Sequence, residues 1–463
     1  MDIPVDAGSP GAVPPVGPRP GGLPRPGAAE PGAHRSSQVT ATESARVKVM
    51  VIVGTRPEVI KLSRVIAALE RHVDVCLVHS GQHHAYELGQ IFFDELGIRP
   101  PDHHLDVARP GATAADTMGQ VISRVDRVLA AERPDAVLLY GDTNTCLAVI
   151  PAKRRQIPVF HLEAGNRCFD DRVPEEVNRR LVDHLSDVNL ALTEHARRHL
   201  LAEGLPANRI FVTGSPLKEV LAHHRARIDA SAVLADLGLA AGRYLLVSAH
   251  REENVDRPDL LRSLLATLNL LAGRYDMPII VSTHPRTRAR LDELGCQAGA
   301  GPAGAAPAGT DPRVRFLRPF GLADYVALQR GAHCVISDSG TLTEEAALLG
   351  FPAVLIREAH ERPEAFDHGV LVSSAPRPDR VFAAVRAVVE PGAGACGRAR
   401  RLPPDYDVDD VSTRVLRIIL SYIDQVRRTV WYRSPSPSPP SPAAAMSAAR
   451  TAPASADAAL AAG

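Results

Sequence analysis

Two consecutive α/β domains, each a Rossmann-like, doubly wound parallel sheet, are what the sequence predicts. Three observations carry this. Short, near-continuous apolar runs alternate with amphipathic helical stretches, the pattern of a parallel sheet covered by helices on both faces. The alternation runs once to about residue 218 and then restarts. Acidic or small residues stand directly after several runs, where such a sheet gathers its ligand-binding groups.

Taken in order, 47–53 is the first expected strand and 58–70 the first helix. Strand 73–78 follows, then helices at 86–96 and 113–133. Strands at 136–140, 157–162, 188–192 and 210–212 complete the first set. The second set has strand 243–248, helix 259–274 and strands 278–282, 314–317, 334–337 and 353–356. A Gly/Ala/Pro-rich insert at 298–310 is expected to be a surface loop. The stretch 411–430 is amphipathic and is expected to pack as a closing helix. The expected boundaries are 46–218 and 219–402 for the two domains and 403–433 for the closing segment. The Pro/Gly/Ala-rich tails, 1–44 and 434–463, lack the apolar surface to offset chain entropy and are expected to be disordered. The cleft between the domains is the expected ligand site.

Composition narrows the functional classes. The 53 basic and 53 acidic residues cancel, so no global field favours nucleic acid or an anionic membrane. Aromatics are 4% and Trp431 is the one tryptophan, which leaves few platforms for stacking bases. Six cysteines are scattered without a C-x-x-C pair, as expected of reduced thiols in a cytoplasmic protein. No signal core or bilayer-length apolar stretch is found, so no membrane association is expected. His83-His84 and His103-His104 have no carboxylate at ligand spacing, so no metal is expected.

Three acids are the main chemical signal. Asp142 follows the run 136–140, Glu163 ends the next, and Glu175 opens a helical pattern after Pro174. Carboxylates gathered at one sheet edge can move protons. Two have structural alternatives: Asp142 as an N-cap before Thr143, and Glu175 as a helix-dipole partner alongside Glu176. Glu163 is followed by Ala164-Gly165-Asn166-Arg167 and has no capping role.

Two loops suit an anion. In Gly54-Thr55-Arg56-Pro57-Glu58, Arg56 stands at a helix start, with Lys61 one turn on and able to reach the same side. An ordinary turn with Pro57 at the first helical position fits equally well. In the second half, Ser339, Gly340 and Thr341 offer amides and hydroxyls to a diphosphate, and Glu345 could accept from a ribose diol. Thr341 with Glu344 fits a capping box, which makes Glu344 structural. His250, beside Arg251 at a strand end, could contact a leaving phosphate, although a lone histidine among 18 reads equally as a surface residue.

These strings together resemble the non-hydrolysing UDP-N-acetylglucosamine 2-epimerases. The matching pieces are GTRPE at 54–58, GDT at 141–143, HLEAGNR at 161–167, PEEVNRR at 174–180, TGSP at 213–216, AHREEN at 249–254, STHPR at 282–286, DSGTLTEE at 338–345 and ERPE at 361–364. The resemblance runs in order over roughly 46–425. It implies a glycosyltransferase-B arrangement with the nucleotide held mainly by the second domain. It also implies a UDP-linked 2-acetamido sugar as substrate, inverted at carbon 2 by elimination and re-addition of UDP, as a homodimer without metal or redox cofactor. Carried over motif by motif, Asp142, Glu163 and Glu175 resemble the catalytic acids and His250 the leaving-group contact. Arg56 resembles a phosphate-side arginine, and Ser339, Gly340 and Thr341 diphosphate ligands. Glu345 resembles a ribose ligand, Tyr325 an aromatic near the uracil, and Arg362 a further residue facing the cleft.

Gln82-His83-His84-Ala85 departs from the Gln-His-Arg of typical bacterial members, which puts activation by a second UDP-sugar in question. The strings at 78–88, 151–176, 248–256 and 357–369 are more similar to a subgroup that makes UDP-N-acetyl-L-fucosamine from its L-talo epimer. A UDP-sugar glycosyltransferase and a hydrolysing epimerase are the more distant alternatives.

Overall fold

Residues 46–82, 93, 95–109, 111–293, 309–390 and 402–433 are described in the structure, a computed structural model of the chain. Both expected tails lie outside this set, as do His83, His84, most of the expected helix 86–96 and most of the insert 298–310.

Within residues 46–433 the alternation becomes two parallel sheets. The first comprises β1 (Lys48–Val53), β2 (Asp74–His79), β3 (His103–His104), β4 (Ala136–Tyr140), β5 (Val159–Ala164), β6 (Val188–Ala191) and β7 (Ile210–Val212). Its spatial order is β3-β2-β1-β4-β5-β6-β7, so the direction of winding reverses between β1 and β4. The second comprises β8 (Leu245–Ser248), β9 (Ile279–Ser282), β10 (Val314–Leu317), β11 (Cys334–Ser337), β12 (Ala353–Leu355) and β13 (Val372–Ser373), in the order β10-β9-β8-β11-β12-β13. Its reversal falls between β8 and β11. Segments following strands at a reversal splay apart and leave a crevice. The segments after β1, β4, β8 and β11 carry Arg56, Lys61, Asp142, His250, Ser339, Gly340, Thr341 and Glu345, whereas Glu163 lies in β5, Glu175 on the helix after it, Tyr325 after β10 and Arg362 after β12.

The expected strands appear, with ends shifted by a residue or two. β3 and β13 are additional, and each has two residues, too short for an apolar run to announce it. β3 also corrects the reading of His103. Its Nε2 lies 2.7 Å from Glu132 Oε1, at the end of the helix Ala114–Glu132. Among the described residues, Cys76, His103 and Glu132 bring possible ligand atoms within 4.8 Å of one another. Burial pushes the Cys76 thiol up to about 12, and Lys48 Nζ holds the other Glu132 oxygen at 2.5 Å. The buried thiol and the Lys48–Glu132 ion pair cover this edge of the sheet.

Gly54 shows how tightly the first switch point is built. A Cβ there would lie 2.0 Å from Thr145 Oγ1 and 2.2 Å from Ser80 Oγ. The helix Arg56–Glu70 starts immediately after, and Glu58 turns back to accept from the amides of Gly54 at 2.6 Å and Thr55 at 3.3 Å. Thr143 donates to the same carboxylate at 2.6 Å, which ties the loops after β1 and β4 together.

The closing helix Val411–Val430 buries Val411, Val415, Leu416, Ile419, Ile423 and Val426, one stripe at helical spacing. This stripe joins the core of the first sheet and packs on the helix Arg56–Glu70, so the closing helix returns to the first sheet. Ile419 is fully buried there. Ile419→Val is therefore expected to cost ~1 kcal/mol, read as a lowered midpoint in denaturant unfolding.

Candidate active site

Asp142 follows β4 but does not cap. Thr143 takes that part, with its Oγ1 accepting from the Thr145 amide. The Asp142 side chain instead meets Arg179, whose Nε and Nη2 both lie 2.7 Å from Oδ2. Burial pushes the Asp142 carboxyl above its ordinary range; Arg179 opposes this, and the charges of Glu175 and Glu163 add to it. Arg179 is absent from the residues expected from sequence. It lies one turn beyond Glu175 on the helix Pro174–Leu185, a spacing that could have revealed it.

Glu163 sits at an irregularity in the β5–β6 pairing, between Leu162 and Ala164, with φ +72°. A non-glycine residue in this region costs on the order of 1–3 kcal/mol and persists only where its surroundings hold it. Here they do. Glu163 Oε1 accepts from Arg362 Nη2 at 2.9 Å, and Oε2 from Lys61 Nζ at 3.1 Å and from the Tyr140 hydroxyl. Burial works against ionisation, but Arg362, Lys61 and Tyr140 outweigh it and hold this carboxyl well below the usual range.

The neighbours Glu175 and Glu176 part company. Glu176 is fully buried and accepts from the amides of Cys168 at 3.0 Å and Phe169 at 3.2 Å and from Arg179 at 2.9 Å. It clamps the loop after β5. Glu175 is half-buried in the helix's first turn and makes no hydrogen bond or ion pair among the described residues.

On the second sheet, Asp338 organises the edge. It is buried after β11 and accepts at 2.9 Å from the amides of His250 and Arg251 and at 3.0 Å from Asn254 Nδ2. His250 Nδ1 lies 3.2 Å from its other oxygen, and the imidazole remains partly exposed. Ser339 and Thr341 pair through their hydroxyls at 3.0 Å. Gly340 between them has no room for a side chain, since a Cβ would lie 2.5 Å from Glu361 Oε1. Glu345 accepts from Thr341 Oγ1 at 2.9 Å and Gln329 Nε2 at 2.5 Å. Burial raises the Tyr325 hydroxyl, with Glu345 adding and Ser248 and Arg56 opposing, which places Tyr325 in that same corner.

Two expectations change. Glu344 is not the partner of Thr341 in a capping box, because the Thr341 hydroxyl goes to Glu345. Glu344 is fully buried and binds Lys61 Nζ at 2.8 Å, Arg362 Nη1 and the Ser215 hydroxyl. Lys61 and Arg56 also do not reach the same side. Lys61 lies between Glu163 and Glu344, whereas Arg56 Nη2 donates to the Phe320 carbonyl at 3.0 Å, near Tyr325 and Glu345. Lys61, Glu163, Glu344 and Arg362 thus form a buried quartet of two cations and two anions bridging the two halves.

Glu361 forms a second bridge. Arg357 Nη1 lies 2.9 Å from its Oε2 and Arg179 Nη2 3.9 Å away, and despite burial these cations, with Arg251, hold its carboxyl well below the usual range. Nearby, a cavity of about 710 Å³ opens between the loop after β5 and the segment 358–363, with Phe169, His195, His199 and His360 on its walls. None of the three acids lines it.

The arrangement offers carboxylates in contrasting environments, cations from both sheets and a hydroxyl-lined glycine turn, the equipment for moving a proton beside an anionic leaving group. Comparison with known proteins agrees. The sequence profile of the UDP-N-acetylglucosamine 2-epimerase family matches residues 67–420. The structure of UDP-N-acetylglucosamine 2-epimerase from Rickettsia bellii superimposes with a TM-score of 0.74 at 49% identity, covering 84% of this chain and 100% of that one. The Methanocaldococcus jannaschii enzyme, solved in complex with UDP-GlcNAc and UDP, gives 0.73 at 31% identity over 81% of this chain and 100% of that one. The UDP-2,3-diacetamido-2,3-dideoxy-D-glucuronate 2-epimerase of Pseudomonas aeruginosa is 33% identical over 337 residues, 71% of this chain and 89% of that one. The two sheets have the glycosyltransferase-B-like arrangement of these epimerases. The chain is an epimerase and belongs to the non-hydrolysing UDP-N-acetylglucosamine 2-epimerase family.

Proposed function

We propose that the chain inverts carbon 2 of a UDP-linked 2-acetamido sugar by eliminating UDP and adding it back. The observation that carries this reading is the junction of the two sheet edges, where Asp142 and Glu163 are tied by Arg179 and Arg362 to the segment after β12. The carbon-2 proton of such a sugar is not acidic, so its removal must accompany departure of UDP. Asp142, Glu163 and Glu175 are assigned to proton handling and its support. His250, Arg56, Lys61 and Arg362 are assigned to the charge that develops on the departing diphosphate. Ser339, Gly340 and Thr341 hold the diphosphate, Glu345 the ribose and Tyr325 the uracil side. The domains are assigned as 46–218 and 219–402, with 403–433 returning to the first, and the assembly as a homodimer.

UDP-N-acetylglucosamine, giving UDP-N-acetylmannosamine, is the family-type substrate. The 6-deoxy-L-talo sugar, giving UDP-N-acetyl-L-fucosamine, is the second reading. The strings at 151–176 and 357–369 support it, because both contribute walls to the cavity beside the acids. The expected result is incorporation of deuterium at carbon 2 when enzyme and UDP-sugar are incubated in deuterated water, followed by NMR. Absence of exchange with every 2-acetamido UDP-sugar tried would sink the assignment, and the relative rates on the two named substrates decide between the readings. Free UDP should not accumulate; its steady release would point to hydrolysis instead.

A further inference from the structure

Resting on the epimerase reading, we infer that Glu163 is a positioning residue rather than a proton carrier. With Glu344 it holds Lys61 and Arg362 across the two halves and leaves the proton to Asp142 and Glu175.

A carboxylate that takes a proton from carbon needs an oxygen free to meet it. Both oxygens of Glu163 are taken, Oε1 by Arg362 and Oε2 by Lys61 and Tyr140. Protonating Glu163 would leave two buried cations sharing Glu344 alone, and an uncompensated buried charge is strongly unfavourable. The left-handed backbone at Glu163 fits this part, since it aims the carboxylate into the quartet. Glu344 mirrors it from the other side, with Ser215 on its remaining oxygen.

Asp142 and Glu175 are placed differently. Arg179 grips only Oδ2 of Asp142, and Glu175 has neither hydrogen bond nor ion pair among the described residues. The two carboxyls are close enough to affect each other's ionisation. One of them, ionised, takes the carbon-2 proton while the bond from carbon 1 to the phosphate oxygen breaks, its electron pair leaving with UDP and the carbon 1–carbon 2 double bond forming. The other, protonated, returns a proton to the opposite face of carbon 2 as the UDP oxygen re-adds to carbon 1. Each turnover exchanges the protonation of the pair, and solvent resets it.

The test compares Glu163→Gln, Glu344→Gln, Glu175→Gln and Asp142→Asn in the full chain. The readouts are kcat and KM, the pH profile of kcat/KM, and deuterium uptake at carbon 2. Glu163→Gln and Glu344→Gln are expected to act alike. Both should raise KM, retain measurable deuterium uptake and keep the wild-type pH profile, with kcat at least ~10-fold above that of the carrier variants. Glu175→Gln and Asp142→Asn are expected to lose uptake and one limb of the profile while still binding UDP by calorimetry. Should Glu163→Gln fail to fold, Glu344→Gln reports on the same quartet. The inference is overturned if Glu163→Gln abolishes uptake with KM unchanged, or if Glu344→Gln behaves as wild type. A wild-type enzyme that exchanges no proton in any UDP-sugar would instead refute the epimerase reading itself.

Discussion

Replacing Asp142 with asparagine is expected to lower turnover by roughly 10²–10⁴-fold, with UDP affinity largely kept. Asparagine preserves the size of the side chain, and its carbonyl oxygen can still accept from Arg179, so the loop after β4 should hold its shape. What disappears is an oxygen that can bind and release a proton. Burial and the charges of Glu175 and Glu163 already favour the protonated form of Asp142, which brings it towards neutrality and so towards useful acid–base strength. The diphosphate ligands assigned above lie on the other sheet, after β11, and among the described residues no hydrogen bond or ion pair joins them to Asp142. Steady-state kinetics with the preferred UDP-sugar and calorimetry with UDP check both halves. Wild-type turnover in Asp142→Asn would remove this residue from proton handling. Arg179→Lys provides the companion measurement, because it keeps the charge and loses the two-pronged grip on Oδ2.

The sheets were legible in the sequence because parallel strands buried on both faces must be apolar along their length, as β4 is and as β1 is after Lys48. Chain order alone also placed Asp142 after its strand and Glu163 at the end of its own. Partner choice was not legible. Glu344 satisfied the local rule for a capping box, yet its partners Lys61 and Ser215 lie 283 and 129 residues away in the chain. Nothing in local spacing distinguishes a carboxylate that caps its own helix from one that reaches the opposite sheet. Asp338 was hidden for the same reason, as an acid in a small-residue turn whose amide partners belong to the loop after β8. Glu175 and Glu176 were indistinguishable neighbours until helix geometry buried one and left the other half-open. His103 stands beside Asp102 in sequence, yet its partner is Glu132, from the end of the next helix.

Replacing Arg362 with methionine is expected to destabilise the protein by ~3–5 kcal/mol near neutral pH and to reduce turnover as well. The arginine is almost wholly buried, with one nitrogen 2.9 Å from Glu163 and another against Glu344. Methionine fills similar space without a charge, so Lys61 alone must compensate two buried carboxylates. The loss should depend on pH, and its sign follows from Glu163. In the wild type its folded-state carboxyl is held below the unfolded value, so its contribution is present above the unfolded pKa and lost as pH falls through the folded one. Without Arg362 the largest charge opposing burial is gone and only Lys61 and Tyr140 remain, so the folded-state carboxyl is expected to rise and the variant to gain stability as the pH falls and Glu163 takes up a proton. The gap between wild type and variant should therefore narrow from about pH 7.5 to about pH 5, as read by denaturant unfolding at each. Glu344→Gln on the Arg362→Met background should recover part of the loss, because it removes one of the two anions left to share Lys61, and a double-mutant cycle should return a coupling of roughly 1–3 kcal/mol. A gap below ~1 kcal/mol and independent of pH would mean that water, not Arg362, balances these carboxylates.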